Sequence, residues 1–511
     1  MAFRGLSTVA SLTLGSRVLG LTRDAAMAVL FGAGPLMDAF SVAFRVPNLA
    51  RRLFGEGSLT AAFLPAYTRV AAESPEAARR LTWSVAAALG GALWLATLAA
   101  EAVIGGVLAA GWGSEGLRTL LELTAVLLPY VVWICLAAQL SAVLHAAGRF
   151  FLPAALPLVL NAVWLAAIGA AAVTGWLPRS QMLLIAAAVS LSGVVQCALV
   201  ASATVRLVGG PAAFGEAWRS SRAEIRAIAG AMLPTLVGLS ITQFNAVLDS
   251  LLAWGLSPSA GLGWPLVSDG TATAMYLGQR MYQFPLGVFG VALGTVIYPV
   301  LARHAQAGDR PAMGRDLTRG LELSALIGLP ASVGLMLLSR PVVRLLFEHG
   351  EFTAADTLLT SRMVAAYALA VWAFIGLLIV NRGFYAAGDT RTPLRAGLIA
   401  VVVNLVLNAA LLPLLGGVGL AAATGLAAVV QLVWSVRRMR RSGMPIDGGS
   451  LRRTILATAA ATAVMGVVVL SASRMDAGRI GNVAVPVVAG AAAYAAAAAA
   501  LGLRRVVSSE L

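Results

Sequence analysis

The chain has 511 residues, of which 59% are hydrophobic and only 12% are charged, and its mean hydropathy is +0.86. A soluble protein of this length needs far more charge to cover its surface, so the composition favours an integral membrane protein. The formal net charge of +15 is carried by arginine, since the sequence contains no lysine. Such an excess can serve nucleic acid, anionic lipid or anionic substrate, and the positions of the arginines must decide.

Apolar runs long enough to cross a bilayer as helices recur along the whole chain. An α-helix needs about 20 residues to do so, and the runs predict an all-α polytopic membrane protein with about fourteen transmembrane helices. The first run is expected to be a retained helix and not a cleaved leader, because Arg17, Arg23 and Asp24 interrupt it. The predicted spans are 7–31, 38–65, 82–110, 119–146, 153–175, 182–205, 227–254, 272–302, 320–339, 363–387, 396–415, 420–436, 454–472 and 483–503.

The distribution of arginine predicts the orientation of these spans. An even number of spans places both termini on one side of the membrane. That side, counted as the termini and the connections after even spans, holds 23 arginines, whereas the connections after odd spans hold 7. Because positive charge accumulates in cytoplasmic loops, both termini are predicted to be cytoplasmic, in the bacterial inner membrane. The bias explains most of the net charge, so no nucleic-acid partner is expected.

Two stretches of the sequence resemble each other at an offset of 235 to 240 positions. LHAAG at 144–148 is echoed by FYAAG at 384–388. A second set, Arg45, Gly55, Thr60 and Pro65, is echoed with one gap by Arg280, Gly290, Thr295 and Pro299. The repeat predicts two six-helix lobes, 1–210 and 225–441, followed by two further helices within 452–505. Because the offset spans an even number of helices, the lobes are expected to be parallel, a recurring transporter plan.

Charged residues inside the predicted spans are the candidate substrate-binding site. An arginine at the centre of a membrane helix costs about 2.5–3.5 kcal/mol to insert, so it persists only where it faces protein or a wet cavity. Seven-residue spacing places Arg45 with Arg52, and Arg17 with Asp24, on shared helical faces. Asp24 and Glu56 are expected to neutralise part of the cluster. The candidates are Arg17, Arg23, Asp24, Asp38, Arg45, Arg51, Arg52, Glu56 and Arg280.

Guanidinium groups bind phosphate and carboxylate in bidentate fashion and stay charged when desolvated, so a cavity lined by them suits a pyrophosphate or a polyanionic headgroup. The alternative is that some of these arginines are interfacial or form structural ion pairs within the membrane.

No catalytic constellation is visible in the sequence, so a transporter is expected and not an enzyme. There is no nucleophile–base pair and no phosphate-binding loop of the GxxxxGK[ST] type. His349, Glu348 and Glu351 share a loop, but nothing supplies a further metal ligand at a known spacing, so neither a metal site nor a cofactor is expected. Without a nucleotide site, the membrane potential or an ion gradient is the expected energy source, which makes a coupling ion a further candidate partner.

Several motifs of the sequence resemble the MurJ (MviN) family of bacterial lipid II flippases. They are SRVLGLTRD at 16–24, FGAG at 31–34, DAF at 38–40, PNLARRLFGEG at 47–57, QFPLGV at 283–288, GVALGT at 290–295, GEFT at 350–353 and FYAAGD at 384–389. The resemblance covers the whole chain and is most specific in the first 65 residues. Some relatives carry an acid at the position of Gln283, which is a departure here.

The resemblance implies two six-helix lobes and two C-terminal helices that form a groove for a lipid tail. It implies alternating access of a central cavity that takes lipid II, the undecaprenyl-pyrophosphate-linked disaccharide-pentapeptide, for peptidoglycan synthesis. The family's essential arginines fall on Arg17, Arg23, Arg51, Arg52 and Arg280, and its important acids on Asp24, Asp38 and Glu56.

The sequence leaves three other functions to compare with this one. One is another two-lobe exporter, either a lipid-linked oligosaccharide flippase or a multidrug antiporter; a drug-cation site should be lined by acids and aromatic residues, and here arginine dominates. A glycosyltransferase or polymerase acting on lipid-linked sugars would need catalytic acids or metal ligands on a sizeable outer loop. A non-transporting scaffold is disfavoured by the cost of burying so many charges.

Overall fold

The computed structural model describes residues 2–55, 58–211 and 221–508, which divide into two compact units, Met1–Pro265 and Leu266–Leu511. These residues are mostly helical with no β-strand, which confirms the predicted all-α class. The first unit contains α1 Ala2–Phe31, α2 Pro35–Ala43, α3 Arg45–Ala50, α4 Ser58–Glu73, α5 Pro75–Ala109, α6 Glu115–Leu127, α7 Pro129–Ala146, α8 Phe151–Val173, α9 Pro178–Val208 and α10 Arg222–Gly255. The second contains α11 Thr271–Pro285, α12 Val291–Gln306, α13 Arg310–Leu337, α14 Ser339–Phe347, α15 Ala354–Ala368, α16 Val371–Ala386, α17 Arg391–Leu415, α18 Gly417–Arg441, α19 Gly448–Ala472, α20 Gly478–Ala500 and α21 Arg504–Ser508.

The long apolar helices identify a multi-pass membrane protein. Among the described residues, 10 helices are long and apolar enough to cross a membrane, or 11 if α15 and α16, bent by 41°, form one span. The first, second and seventh predicted spans fall on segments that do not meet this criterion: α1, the interrupted stretch from α2 to α4, and α10. The number fourteen therefore stays a prediction.

Local sequence explains where several helices begin. The Ser74 hydroxyl accepts a hydrogen bond from the Ala77 backbone N–H at 3.3 Å, and proline follows as the first residue of α5. The Ser114 hydroxyl accepts from the Leu117 N–H at 3.1 Å at the start of α6. Such caps satisfy backbone donors that have no partner within the helix. Proline at the start of a helix is favoured because its missing N–H is not needed there.

The first unit is built around α7, which packs against α5 and α9, while α8 packs against both α1 and α9. Residues of α4, α5, α7 and α10 form one of its cores, which includes Phe63, Tyr67, Leu81, Val143 and Ile228. The helix α10 therefore packs with the first unit. The predicted lobes, 1–210 and 225–441, follow the sequence repeat and not this packing, and they stay a prediction.

The second unit is built around α13, which packs against α16 and α19, and α19 in turn packs against α20. Its core includes Leu317 of α13, Ile379 of α16 and Met439 of α18. Met444 and Ile446, from the connection between α18 and α19, are buried in the same core. This connection therefore anchors the start of α19 to the rest of the unit.

The sequence repeat corresponds to a repeated local structure. A π-helical turn occurs at Arg51–Gly55 and again at Leu286–Gly290, at the same offset as the repeated residues. At the other repeated motif, α7 and α16 both end before a glycine of positive φ, Gly148 at 71° and Gly388 at 74°. Only glycine adopts this conformation without strain, which explains why both copies contain it. The π-helical turns matter for the site, because such turns are frequent at functional positions.

Candidate functional site

Arg23 lies in a buried polar cluster between α1 and α8, which we call the Arg23 cluster: Arg23, Asp24, Asn161 and Trp164. Arg23 and Asp24 are each 3% exposed. The Nε and Nη2 atoms of Arg23 donate to Oδ1 of Asp24 at 3.0 and 2.5 Å, and Nη1 donates to Oδ1 of Asn161 at 2.9 Å. The Cζ atom of Arg23 lies 4.1 Å from the centroid of the Trp164 ring, a cation–π contact. The guanidinium therefore has hydrogen-bond acceptors along its edge and an aromatic ring against its face.

Neighbouring side chains hold this cluster in place. The Asn161 Nδ2 atom donates to the Ser16 carbonyl oxygen at 3.0 Å, so the amide connects α8 to two turns of α1. Trp164 is 1% exposed and is contacted edge-on by the rings of Phe40 and Phe44, with centroids 5.5 and 4.9 Å away. Removing one partner of such a buried ion pair typically costs about 3–5 kcal/mol. Because Arg23 is 3% exposed, an external anion can reach it only if the packing around this cluster opens.

Arg17 has a different environment, although it lies on the same helix. Its side chain is exposed, and it makes no hydrogen bond or ion pair with any residue that the structure describes. Arg17 and Asp24 are seven residues apart and so share a face of α1, yet Asp24 is buried. The same face of α1 thus passes from exposed to buried, and Arg17 is accessible to an anion without any rearrangement.

The predicted second span is interrupted in the structure. It is divided into α2, α3, the π-helical turn Arg51–Gly55 and α4. Asp38, on α2, is 1% exposed, and Arg45, the first residue of α3, is half-buried. Irregular backbone at membrane depth is tolerated where it is buried in protein or lines a water-filled cavity. The interruption therefore agrees with the unusual density of charge in this stretch.

Arg51 and Arg52 belong to the π-helical turn itself. Arg51 donates through Nη2 to Oδ1 of Asn48 at 3.2 Å, within the same stretch. Arg52 donates through Nη1 to Oε1 of Gln243 at 3.2 Å and so connects this turn to α10. Both side chains are half-buried. Glu56, the remaining candidate here, lies outside the described residues.

Arg280 belongs to the second unit and lies on α11 against an aromatic group. It is half-buried, its Nη2 atom donates to the Tyr276 hydroxyl at 2.8 Å, and its Cζ atom lies 5.0 Å from the Tyr276 ring centroid. The preceding residue, Gln279, donates through Nε2 to the Tyr367 hydroxyl at 3.1 Å. Tyr282 packs against the Tyr367 ring at a centroid distance of 5.3 Å. These contacts fix the segment of α11 that carries Arg280.

The neutral partners of these arginines were not predicted from the sequence. They are Asn161, Trp164, Gln243 and Tyr276. The sequence does contain a signal for Asn161 and Trp164 as a pair. They lie three residues apart in an apolar span and therefore share a helical face. Gln243 and Tyr276 carry no comparable signal.

Two solved structures have the same fold as this chain. A structure described as the lipid II flippase MurJ in an inward closed conformation matches with a TM-score of 0.80 at 21% identity, over 98% of this chain and 99% of that one. An inward-facing multidrug resistance transporter of the MATE family matches with a TM-score of 0.65 at 15% identity, over 85% of this chain and 98% of that one. The shared fold defines a polytopic, all-helical membrane protein.

Sequence similarity is more specific than the shared fold. The model of the family "Lipid II flippase MurJ" matches residues 27–486. The probable lipid II flippase MurJ of Rhizobium tropici is 33% identical over 470 residues, which are 91% of this chain and 85% of that protein. Its counterpart from Vibrio cholerae is 33% identical over 85% of this chain and 82% of its own length. The chain belongs to the lipid II flippase MurJ family, a family of transporters and not of enzymes.

Proposed function

We propose that this protein translocates lipid II from the cytoplasmic to the periplasmic leaflet of the bacterial inner membrane, for peptidoglycan synthesis. The observation that carries the proposal is its 33% identity, over 91% of the chain, to a relative named as a probable lipid II flippase. The MATE-type fold match does not favour drug export, because fold alone does not determine the substrate.

The arginines are the proposed contacts for the anionic pyrophosphate of lipid II. Arg17 makes the first contact, because it is exposed and has no partner among the described residues. Arg23, Arg45, Arg51 and Arg52 of the first unit are further proposed contacts, with the acids Asp24, Asp38 and Glu56. Arg280 is the proposed contact in the second unit. Guanidinium suits this role because it binds phosphate oxygens in bidentate fashion and stays ionised when desolvated.

An exchange of partners at Arg23 couples substrate binding to conformational change. Without substrate, Arg23 is held by Asp24 and Asn161. A phosphate oxygen competes with Asp24 for the same donors, and the two anions repel each other. Substrate affinity then differs between a state in which Arg23 is held and one in which it is released. Such a difference is the condition for a ligand to shift a conformational equilibrium, here one of alternating access between the predicted lobes 1–210 and 225–441.

The proposed orientation places both termini in the cytoplasm, since the termini and the even-numbered connections hold 23 of the arginines. Energy comes from the membrane potential or a coupling ion, for moving one charge through 100 mV is worth about 2.3 kcal/mol. The helices α19 and α20 form the groove for the undecaprenyl tail.

Depletion of the protein tests the transport function. In cells that depend on this chain, depletion should trap lipid II in the cytoplasmic leaflet and stop wall synthesis. An added enzyme that cleaves lipid II but cannot cross the membrane measures the fraction in the outer leaflet. If that fraction is unchanged after depletion, the flippase proposal is wrong.

Substitutions in the same assay test the arginine site separately. Arg17→Ala and Arg280→Ala should abolish export while the protein remains folded and inserted. For the buried pair, the double variant Arg23→Gln with Asp24→Asn removes both charges. It keeps the shape of the side chain at position 24 and leaves a shorter polar side chain at position 23. Arg69→Ala, an exposed arginine of α4 outside the candidate set, is the matched control. Normal export by the Arg23 and Arg280 variants, in cells where depletion blocks export, would refute the site and leave the function intact.

A further inference from the structure

A basic cavity of about 350 Å³ opens in the second unit, where α14 lies close to the junction of α19 and α20. We call its polar lining the arginine pocket: Arg340, Arg344, Glu348, Arg479 and Asn482. Three guanidinium groups face a single carboxylate there, so the lining carries a net positive charge. None of these residues belongs to the set of arginines and acids proposed to contact the pyrophosphate of lipid II.

The sequence of α14 places two of these arginines side by side. Val343 and Phe347 are fully buried against the second unit. Arg340 and Arg344 are exposed and four residues apart, so they lie one turn apart along the border of the buried stripe. This short helix therefore presents a pair of cations to the cavity.

The arginines keep most of their donors available. The Arg344 Nε atom donates to Oε1 of Glu348 at 3.1 Å, and Arg479 Nη1 donates to the Glu348 carbonyl oxygen at 3.3 Å. Arg479 Nη1 also lies 3.1 Å from Nδ1 of His349, which must be the unprotonated nitrogen that accepts this bond. The Arg340 guanidinium bonds to no residue in the described part of the chain. Because a guanidinium has five N–H donors, the pocket can still bind an anion through all three arginines.

The pocket lies where the end of α19 meets the start of α20. Both α19 and α20 are long and apolar enough to span a membrane, and Ser473 and Asn482, close to their ends, line the cavity. Large apolar side chains on the same helix ends are exposed: Val467 and Leu470 of α19 and Ile480 of α20. Acyl chains that cover these side chains would bring the phosphate of their lipid to the level of the pocket.

The distribution of arginine also distinguishes this pocket. Only 7 arginines fall in the connections predicted to face outward, and Arg340, Arg344 and Arg479 are three of them. Positive charge is otherwise depleted on that side, so the gathering of three arginines around one cavity needs a separate cause.

We infer that the arginine pocket binds the phosphate headgroup of an anionic phospholipid of the outer leaflet, with its acyl chains lying along α19 and α20. This lipid is distinct from the transported substrate. The inference rests on the proposed orientation, with both termini in the cytoplasm, and not on the proposed flippase activity. Bidentate contacts from Arg340 and Arg479 to the phosphate would hold α14 against the start of α20.

Native mass spectrometry of the full-length protein, with phosphatidylglycerol or phosphatidylcholine added to lipid-free micelles, measures this binding. Arg340→Ala, Arg344→Ala and Arg479→Ala should each weaken phosphatidylglycerol retention about fivefold, the effect of one basic residue near an anionic lipid surface. Arg474→Ala is the matched control, since Arg474 is exposed in the same α19–α20 connection and does not line the cavity. All four substitutions remove one exposed positive charge, so folding should be retained, and thermal unfolding without added lipid checks this.

Three results would overturn the inference. One is an equal loss of phosphatidylglycerol in the Arg474 variant, which indicates general surface attraction. Another is equal retention of phosphatidylcholine and phosphatidylglycerol by the parent protein. The last is a competition in which the retention of undecaprenyl pyrophosphate, and not that of phosphatidylglycerol, depends on the three arginines. The pocket would then bind the transported substrate. Selective retention of phosphatidylglycerol that only the pocket variants lose supports the inference.

Discussion

The Nη1 atom of Arg23 and the Oδ1 atom of Asn161 lie 2.9 Å apart across the contact between α1 and α8, although 138 residues separate them in the chain. This hydrogen bond, together with the ion pair to Asp24, makes Arg23 part of the packed interior of the first unit. Arg17, less than two turns away, remains exposed. Two arginines that look equivalent in the sequence therefore have different physical roles.

Because of that difference, we expect two substitutions to have unequal effects on stability. Arg23→Ala leaves the Asp24 carboxylate buried without its ion-pair partner and should destabilise the protein by about 3–5 kcal/mol. Arg17→Ala removes an exposed side chain with no partner among the described residues and should change stability by less than about 0.5 kcal/mol. Thermal unfolding of both purified variants checks the prediction. Similar unfolding midpoints for the two would mean that the buried pair contributes nothing to folding.

A contact of Glu322 attaches the C-terminal helices to the rest of the second unit. Its Oε1 atom accepts hydrogen bonds from the Ser450 hydroxyl at 2.6 Å and from the Thr454 hydroxyl at 3.1 Å, and so joins α13 to the first turns of α19. Glu322→Leu leaves the buried Thr454 hydroxyl without this acceptor and should destabilise by about 1–3 kcal/mol. Thermal unfolding measures the loss. Glu351→Leu, in an exposed loop, is the control and should have little effect.

Gly314 packs so closely against the connection between α18 and α19 that a larger side chain would not fit at this position. A methyl group at this position of α13 would overlap the Pro445 carbonyl oxygen, which is backbone and cannot move alone. Gly314→Ala should therefore destabilise by about 1–3 kcal/mol, as overpacking does. Gly334, on the same helix, has its nearest neighbour 3.9 Å from such a methyl group. Gly334→Ala should be neutral or stabilising by up to about 1 kcal/mol, because alanine favours the helix. Equal unfolding midpoints for the two variants would contradict the steric argument.

Asp389 lies in the connection between α16 and α17. From its environment we expect the stability of the protein to depend on pH. Burial raises the pKa of its carboxyl, but hydrogen bonds from the Thr392 hydroxyl and from the backbone N–H groups of Thr392 and Arg391 outweigh burial, so the pKa lies below its ordinary value of 3.8. A carboxyl with a lowered folded-state pKa contributes stability above the unfolded pKa and loses it as the pH falls through the folded one. Asp389→Ala should therefore lower the unfolding midpoint most at neutral pH. The gap from the parent should narrow in acid, below pH 3.8, and a constant gap across that range would exclude the ionic contribution.

Much of the architecture could be predicted from local sequence patterns. The predicted spans each fall on helical segments, because apolar runs of sufficient length report membrane helices without any knowledge of packing. The repeat located both π-helical turns indirectly, since Gly55 and Gly290 end them. The interruption of the second predicted span was not foreseen. The charges of that stretch were noted, but whether such a stretch bends, breaks or continues a helix depends on what packs around it.

The sequence alone determined that this is a polytopic membrane protein of the MurJ family, with arginine concentrated in its first two predicted spans. Composition, periodicity and motifs are properties of contiguous residues, so they can be read without coordinates. Only the tertiary structure decided that Arg23 is paired with Asp24 and Asn161, that Glu322 accepts hydrogen bonds from two hydroxyl groups of α19, and that Arg340, Arg344 and Arg479 share one cavity. Asn161, the hydroxyl groups of α19 and Arg479 are each far along the chain from the residues that they meet. Helix packing brings them together, and local sequence does not encode that packing.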